Sequence, residues 1–161
     1  MLLSGKLATV IAVALGALFV GYTLYAMSIV PGSVTSPVPK SFSVDGRTYE
    51  FTYVATTQAE REAGLMNRQV TNSTTMLFAF PSSGRWAFWM YDTNTSLDMI
   101  WVNATGGSGR VVYLVSGAQP CYDSSQCTVY TPTSNADYVI EARVGFAAAN
   151  QITVGTLIQL G

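Results

Sequence analysis

Lys6 is followed by Leu7 to Val30, 24 consecutive residues without a charged side chain. A helix rises about 1.5 Å per residue, so this stretch reaches roughly 36 Å and spans a hydrocarbon core of about 30 Å. It predicts a single transmembrane anchor. A secretory signal is the rival reading, with Lys6 as the basic start and Ala26-Met27-Ser28 as a small-x-small cleavage pattern. Apolar regions of such signals run about 7–15 residues, however, and this one is longer. One Lys before the span and Pro31-Gly32-Ser33 after it orient the N-terminus to the cytoplasm and the rest outside. Tyr22 and Tyr25 mark the outer interface. The expected location is therefore the cell membrane, single-pass through residues 7–30, with the C-terminal domain outside the cytoplasm. Small residues at Ala8, Ala12 and Gly16 let two such helices approach closely, which suits assembly with a protein partner.

Residues 31–41, with Pro31, Pro37 and Pro39 among Ser, Thr and Val, read as an extended stalk. Residues 42–161 have the length of one domain, with no repeat or charge block to divide them. Beyond the span, seven basic residues face nine acidic ones and form no basic stripe, so nucleic acid is not an expected partner. The two cysteines, Cys121 and Cys127, enclose a five-residue polar loop in a compartment where disulfides persist. A bridge between them would stabilise by about 2 kcal/mol, and the C-x5-C spacing argues for a structural staple over a redox pair. Asn72, Asn94 and Asn103 each begin an N-x-[ST] sequon and are candidate glycosylation sites of an exported face.

Alternation of apolar and polar residues predicts strands over Tyr49–Ala55, Met76–Phe80, Trp86–Met90, Leu97–Asn103, Val111–Val115, Tyr138–Val144 and Leu157–Leu160. Thr57-Gln58-Ala59-Glu60 is a capping box, opening a helix that continues from Arg61 to Asn67; a second short helix is expected across Gly145–Gln151. The fold class is mainly β, or α+β: a compact curled sheet or small β-barrel with one or two short helices, preceded by the transmembrane helix.

Four ordered motifs then point to a family. Glu60-Arg61-Glu62-Ala63-Gly64-Leu65-Met66-Asn67-Arg68, Met76-Leu77-Phe78-Ala79-Phe80-Pro81, Phe88-Trp89-Met90-Tyr91-Asp92-Thr93 and Leu97-Asp98-Met99-Ile100-Trp101 resemble domain of unknown function 192. That family's pattern runs E-R-x-x-G-L-M-x-R, M-L-F-x-F-P, F-W-M-x-N-T and L-D-M-I-F in the same order. Pro120-Cys121, Cys127, Tyr130 and Tyr138-Val139-Ile140-Glu141 resemble its later segments. The resemblance implies a small, mainly β domain, often exported or membrane-tethered, with no established activity. This chain departs from the pattern at Asp92, where Asn is usual, and at Gly155-Thr156, where Gly-Asp is common. A ligand touching either position would meet altered chemistry.

The chain has no His, which removes the usual neutral-pH base, the commonest metal ligand and any Ser-His-Asp or Cys-His arrangement. No cofactor or metal is expected. Met66, Met76, Met90 and Met99 read as core filling, not as copper ligands. Asp92 and Asp98 flank a short connection; as an enzyme's pair they would be the catalytic carboxylates of a glycan hydrolase, and otherwise they cap turns. Arg61, Arg68 and Arg85 offer planar forks for a carboxylate or sulfated sugar. Trp89 and Tyr91, opposite Trp86 and Phe88 in an alternating strand, offer an aromatic platform for a glycan or a protein partner. The ligand-binding candidates are thus Arg61, Arg68, Arg85, Trp89, Tyr91 and Asp98. The leading expectation is a non-catalytic, membrane-anchored binding or assembly module. Its alternatives are an accessory or structural subunit of a membrane complex or surface filament, and a carboxylate-dependent cell-surface glycan hydrolase.

Overall fold

The computed structural model describes residues 37–161, so the predicted span at 7–30 and the first part of the stalk lie outside the described residues. Among the described residues no helix is long and apolar enough to cross a membrane. The remaining end of the stalk is tied down: Lys40 N and Ser41 N both donate to Gly161 O, at 2.6 and 3.1 Å.

The first hairpin was not among the predicted strands. Ser41–Val44 (β1) and Arg47–Glu50 (β2) pair antiparallel around Asp45-Gly46, whose φ angles of 49° and 73° are those of a two-residue turn that Asp and Gly tolerate. The strand expected over Tyr49–Ala55 is broken at Phe51-Thr52, and Tyr53–Ala55 (β3) pairs with a different neighbour. Phe51 N donates to Lys40 O and Thr52 N to Thr75 O, so each half of the break bonds to the strand it is leaving or joining. Thr75–Gly84 (β4), Leu97–Thr105 (β5), Ser108–Ala118 (β6), Ala136–Arg143 (β7) and Leu157–Leu160 (β8) complete a sheet of eight strands in the order β2-β1-β8-β6-β5-β7-β4-β3. All pairs are antiparallel except β3 with β4. The two ends of that order are neighbours in sequence, and the sheet curls into a half-barrel.

The middle of the sheet is buried on both faces. Phe78, Met99, Trp101 and Val139 point to one apolar cluster, and Leu77, Ile100, Val102 and Ile140 to the other, as the two-residue period of a strand requires. Each fully buried side chain of this size contributes about 1.5–3 kcal/mol. The first cluster lies under Gln58–Ala63 (α1) and the loop that follows β4. Phe146–Ala149 (α2) covers the second.

Trp86–Met90, expected as a strand, is an irregular segment with only isolated bridges, Phe88 to Tyr130 and Tyr91 to Cys121. Its aromatic side chains take over the role of a ladder. Trp86 Nε1 donates to Ala136 O at 3.0 Å, Trp101 Nε1 donates to Trp86 O at 2.8 Å, and Arg85 Nε donates to Pro132 O at 2.8 Å. Cys121 and Cys127 are joined in a disulfide, and the bridge from Cys121 to Tyr91 ties this loop to the aromatic segment.

Asp98 is 1 % exposed and holds two parts of the fold together. One oxygen accepts from Gly117 N in β6 and the other from Ala147 N in α2, both at 2.9 Å. An amide has one acceptor oxygen, so Asp98→Asn leaves a buried N–H facing an NH₂ group. We expect this variant to lose about 2–3 kcal/mol of stability in urea unfolding, the cost of an orphaned buried donor. A loss below about 0.5 kcal/mol would contradict that role.

Candidate functional site

The site begins with a helix of little more than one turn. Thr57 accepts from Glu60 N at 3.3 Å, while Glu60 Oε2 accepts from Thr57 N at 2.9 Å and from Thr56 N at 2.8 Å. These backbone donors hold the Glu60 carboxyl at about 2, well below its ordinary 4.5. The box predicted at Thr57 is therefore present, but the helix ends at Ala63, short of Asn67. Gly64 stops it with φ 45° and ψ −134°, a conformation that favours glycine, and a Cβ there would already touch Phe78 at 3.4 Å. The close approach of Gly64 to Phe78 seats α1 on the sheet. Arg61 then reaches across: its Nη1 donates to Thr56 O at 2.7 Å and to Ala79 O at 2.9 Å, and its guanidinium lies 5.3 Å from the centre of the Phe80 ring. Burial pulls the Arg61 guanidinium below its ordinary value, against the opposing pull of Glu60 and Glu62.

Between α1, β4 and the aromatic segment lies a cavity of about 490 Å³. Phe80 and Trp86 stack in parallel along one side, centroids 4.2 Å apart and 6° from coplanar. Phe88 fills another side, edge-on to Phe78 at 4.8 Å and to Trp101 at 5.6 Å. Leu65, Met66 and Trp89 complete the apolar lining, and Gln58, Arg61, Glu62 and Thr93 supply polar side chains at the wall.

Glu141 also lines this cavity and, with Asp98, is one of two buried acids among the described residues. It sits in β7 between Met76 of β4 and Met99 of β5, whose thioethers offer no donor and only a weak acceptor to a carboxyl. It is 4 % exposed, and its side chain has no hydrogen-bond or ion-pair partner among the described residues. Among the described residues every fully enclosed side-chain polar atom has a partner, so the carboxyl keeps its remaining exposure on the cavity side. Burial alone pushes this carboxyl up from 4.5 to about 8. At neutral pH it is a protonated acid in an apolar wall, with one O–H to donate and an oxygen to accept.

The residues singled out from sequence are dispersed. Arg61 and Trp89 line the cavity. Arg68 is exposed, its Nε donating to Gly64 O at 3.0 Å and its guanidinium 4.4 Å above the Tyr53 ring. Arg85 is held by Pro132, as above. Tyr91 packs on Trp89 with centroids 5.3 Å apart, outside the lining. Asp98 lies in the core, bound to backbone, and Asp92 occupies a left-handed turn position, φ 50°, that Asp and Asn both tolerate. Neither Asp lines the cavity. Asn72, Asn94 and Asn103 are all exposed. Among the described residues no group of His, Cys, Asp and Glu is arranged to hold a metal ion.

Sequence reasoning passed over Glu141. Its signal was present: a lone acid within Tyr138–Val144, two positions from Val139 and so on the same face of the strand.

An acid whose folded value is raised binds its proton more tightly in the folded chain than in the unfolded one. Stability is then greatest below about 4.5, falls as pH rises toward about 8, and levels above it. Glu141→Gln removes this dependence. We expect the variant to exceed the wild type by on the order of 4 kcal/mol at pH 8.5 and to match it near pH 4 in urea unfolding, since each pH unit between the unfolded and folded values is worth about 1.4 kcal/mol. A variant less stable at pH 8.5 would contradict a strained acid.

The comparisons with known proteins agree with this architecture. A crystal structure of a candidate transcription regulator from Sinorhizobium meliloti 1021 superposes with a TM-score of 0.62 at 24% identity, over 74% of this chain and 90% of that one. A protein of unknown function from Novosphingobium aromaticivorans DSM 12444 superposes with a TM-score of 0.62 at 26% identity, over 81% of this chain and 93% of that one. No curated protein matches the chain. The family profile of domain of unknown function 192, described as an uncharacterized ACR, matches residues 42–160, and this chain belongs to that family.

Proposed function

We propose that this protein is a membrane-tethered, extracytoplasmic module that binds a small ligand in the cavity between α1 and the aromatic segment. One observation carries the reading: the Glu141 carboxyl, buried, unpaired among the described residues and facing an aromatic-lined cavity. Ligand pockets have this composition, mostly apolar walls with a few convergent polar groups and a perturbed acid among them. A binding partner for Glu141 from outside the chain would offset the cost of burying it. The tether rests on Leu7–Val30 and the outward orientation on Lys6 and Pro31-Gly32-Ser33. The assembly face at Ala8, Ala12 and Gly16 belongs to the same anchor and is compatible with ligand binding by the domain.

A second reading draws on the same acid. A carboxylic acid poised near neutrality suits general-acid catalysis, and Glu62 is the other carboxylate of the lining. Glu62 accepts from Gln58 Nε2 at 2.7 Å on the exposed side of α1. Release of a chromogenic leaving group from aryl glycosides by the wild type, abolished in Glu141→Gln, would establish this reading in place of simple binding.

The binding reading is tested by NMR on the full chain in detergent micelles, following the indole resonances of Trp86 and Trp89 while a set of small aromatic and aliphatic fragments is added. We expect a subset to move both indoles and the amides of Ala63 and Gly64, leaving those of β8 in place. Trp86→Ala removes the stacked wall and should weaken those fragments about tenfold. Fragments that shift only residues outside the cavity would overturn the reading.

A further inference from the structure

We propose that the cavity at Glu141 takes an organic cation, an amine or guanidine carried on an apolar or aromatic body, with the cationic group set against the Glu141 carboxylate. The inference rests on the ligand-binding reading and adds the chemical class of the ligand.

The walls argue for the body. Apart from Glu141, among the described residues only Gln58, Arg61, Glu62 and Thr93 bring charged, amide or hydroxyl side chains to the lining. A sugar entering here would strip water from several hydroxyls at once and find too few partners for them. A compound with one polar head and an apolar body loses little by the same transfer and gains contact with Trp86, Phe88 and Trp89 of the lining.

The floor argues for the charge. Aromatic faces attract cations, and one of these walls already carries one: the Arg61 guanidinium lies 5.3 Å from the Phe80 centroid while its Nη1 is held by the carbonyls of Thr56 and Ala79. Glu141 is the buried carboxyl of the cavity, and it becomes a counter-charge for an incoming cation by losing its proton. An ammonium enters, the protonated Glu141 carboxyl releases its proton to solvent, and the ammonium–carboxylate pair remains. One proton leaves per ligand bound wherever Glu141 starts protonated. Around Glu141, α1 contributes Arg61 and Glu62, β4 and β5 contribute Met76 and Met99, and the aromatic segment contributes Thr93; it is Glu141 that burial pushes up to about 8. The pH dependence of binding therefore reports Glu141.

The test uses two probes with one body. Tryptamine carries an amine where tryptophol carries a hydroxyl, and both are titrated by calorimetry into the full chain in detergent micelles, in buffers of different ionisation enthalpy. Tryptamine should bind at least tenfold tighter than tryptophol at pH 8. Its affinity should rise about tenfold per pH unit from 6 to about 8 and then level, with a buffer-dependent enthalpy below 8 that reports proton release. Glu141→Gln should erase the preference, the slope and the proton release together. If tryptophol binds as tightly as tryptamine and moves the Trp86 and Trp89 indoles, the cation inference falls and the binding reading stands. If the preference for tryptamine survives in Glu141→Gln, the inference falls because the carboxyl is not its partner. If neither probe gives heat or moves those indoles, both the inference and the binding reading fall.

Discussion

Burial of β4, β7 and β5 on both faces is the constraint from which the rest of the structure follows. Their side chains alternate between two apolar clusters, Phe78 and Val139 to one side, Leu77 and Ile140 to the other. A slip of one residue would exchange the two sets, so the register is held from both directions. Glu141 is locked into this arrangement with a methionine opposite it on each neighbouring strand. It has no freedom to turn outward, and its carboxyl stays out of bulk water. A leucine or methionine would pack there at no electrostatic cost. An acid in such a place breaks the local rule of the core, and rules of this kind are broken most often where function requires it.

The surrounding parts keep that acid accessible from one side. The capping box starts α1, Gly64 ends it against Phe78, and Arg61 fastens the helix back to Thr56 and Ala79. The helix thus covers the cluster without filling the space over Glu141. The aromatic segment does the same from the far side, held by hydrogen bonds through Trp86 and Trp101 and by the bridge between Tyr91 and the disulfide loop. Asp98, on the opposite face of β5, joins β6 to α2 and keeps the second cluster closed. Two acids in adjoining central strands therefore have opposite roles. Asp98 is satisfied by backbone donors and is structural, whereas the Glu141 carboxyl has no partner among the described residues.

Much of the sheet was legible from short apolar or alternating runs bounded by turn residues: Leu97–Asn103, Val111–Val115 and Leu157–Leu160 all lie within observed strands. The first hairpin was not, because the prolines before it read as a stalk and the Asp45-Gly46 turn signal was passed over. Trp86–Met90 alternates like a strand, yet its rings are spent on side-chain hydrogen bonds and stacking that no periodicity reveals. Among the candidate site residues, Arg61 and Trp89 reach the cavity, while Arg68, Arg85, Tyr91 and Asp98 do not line it. Sequence ranks residues by chemistry, and chemistry alone does not separate an acid bonded to backbone from one facing a cavity. The decisive feature of Glu141 is that it lacks a partner among the described residues, and that is visible only once the neighbours are in place.

The central claim is that a ligand from outside the chain completes this site, and the most direct measurement is the mass of what the protein carries from its native source. The full chain is extracted in mild detergent and its intact mass is read by native mass spectrometry beside that of Glu141→Gln. The account predicts a small-molecule adduct on the wild type that is absent or strongly depleted in the variant. A bare chain in both, or an adduct retained equally by both, would contradict it.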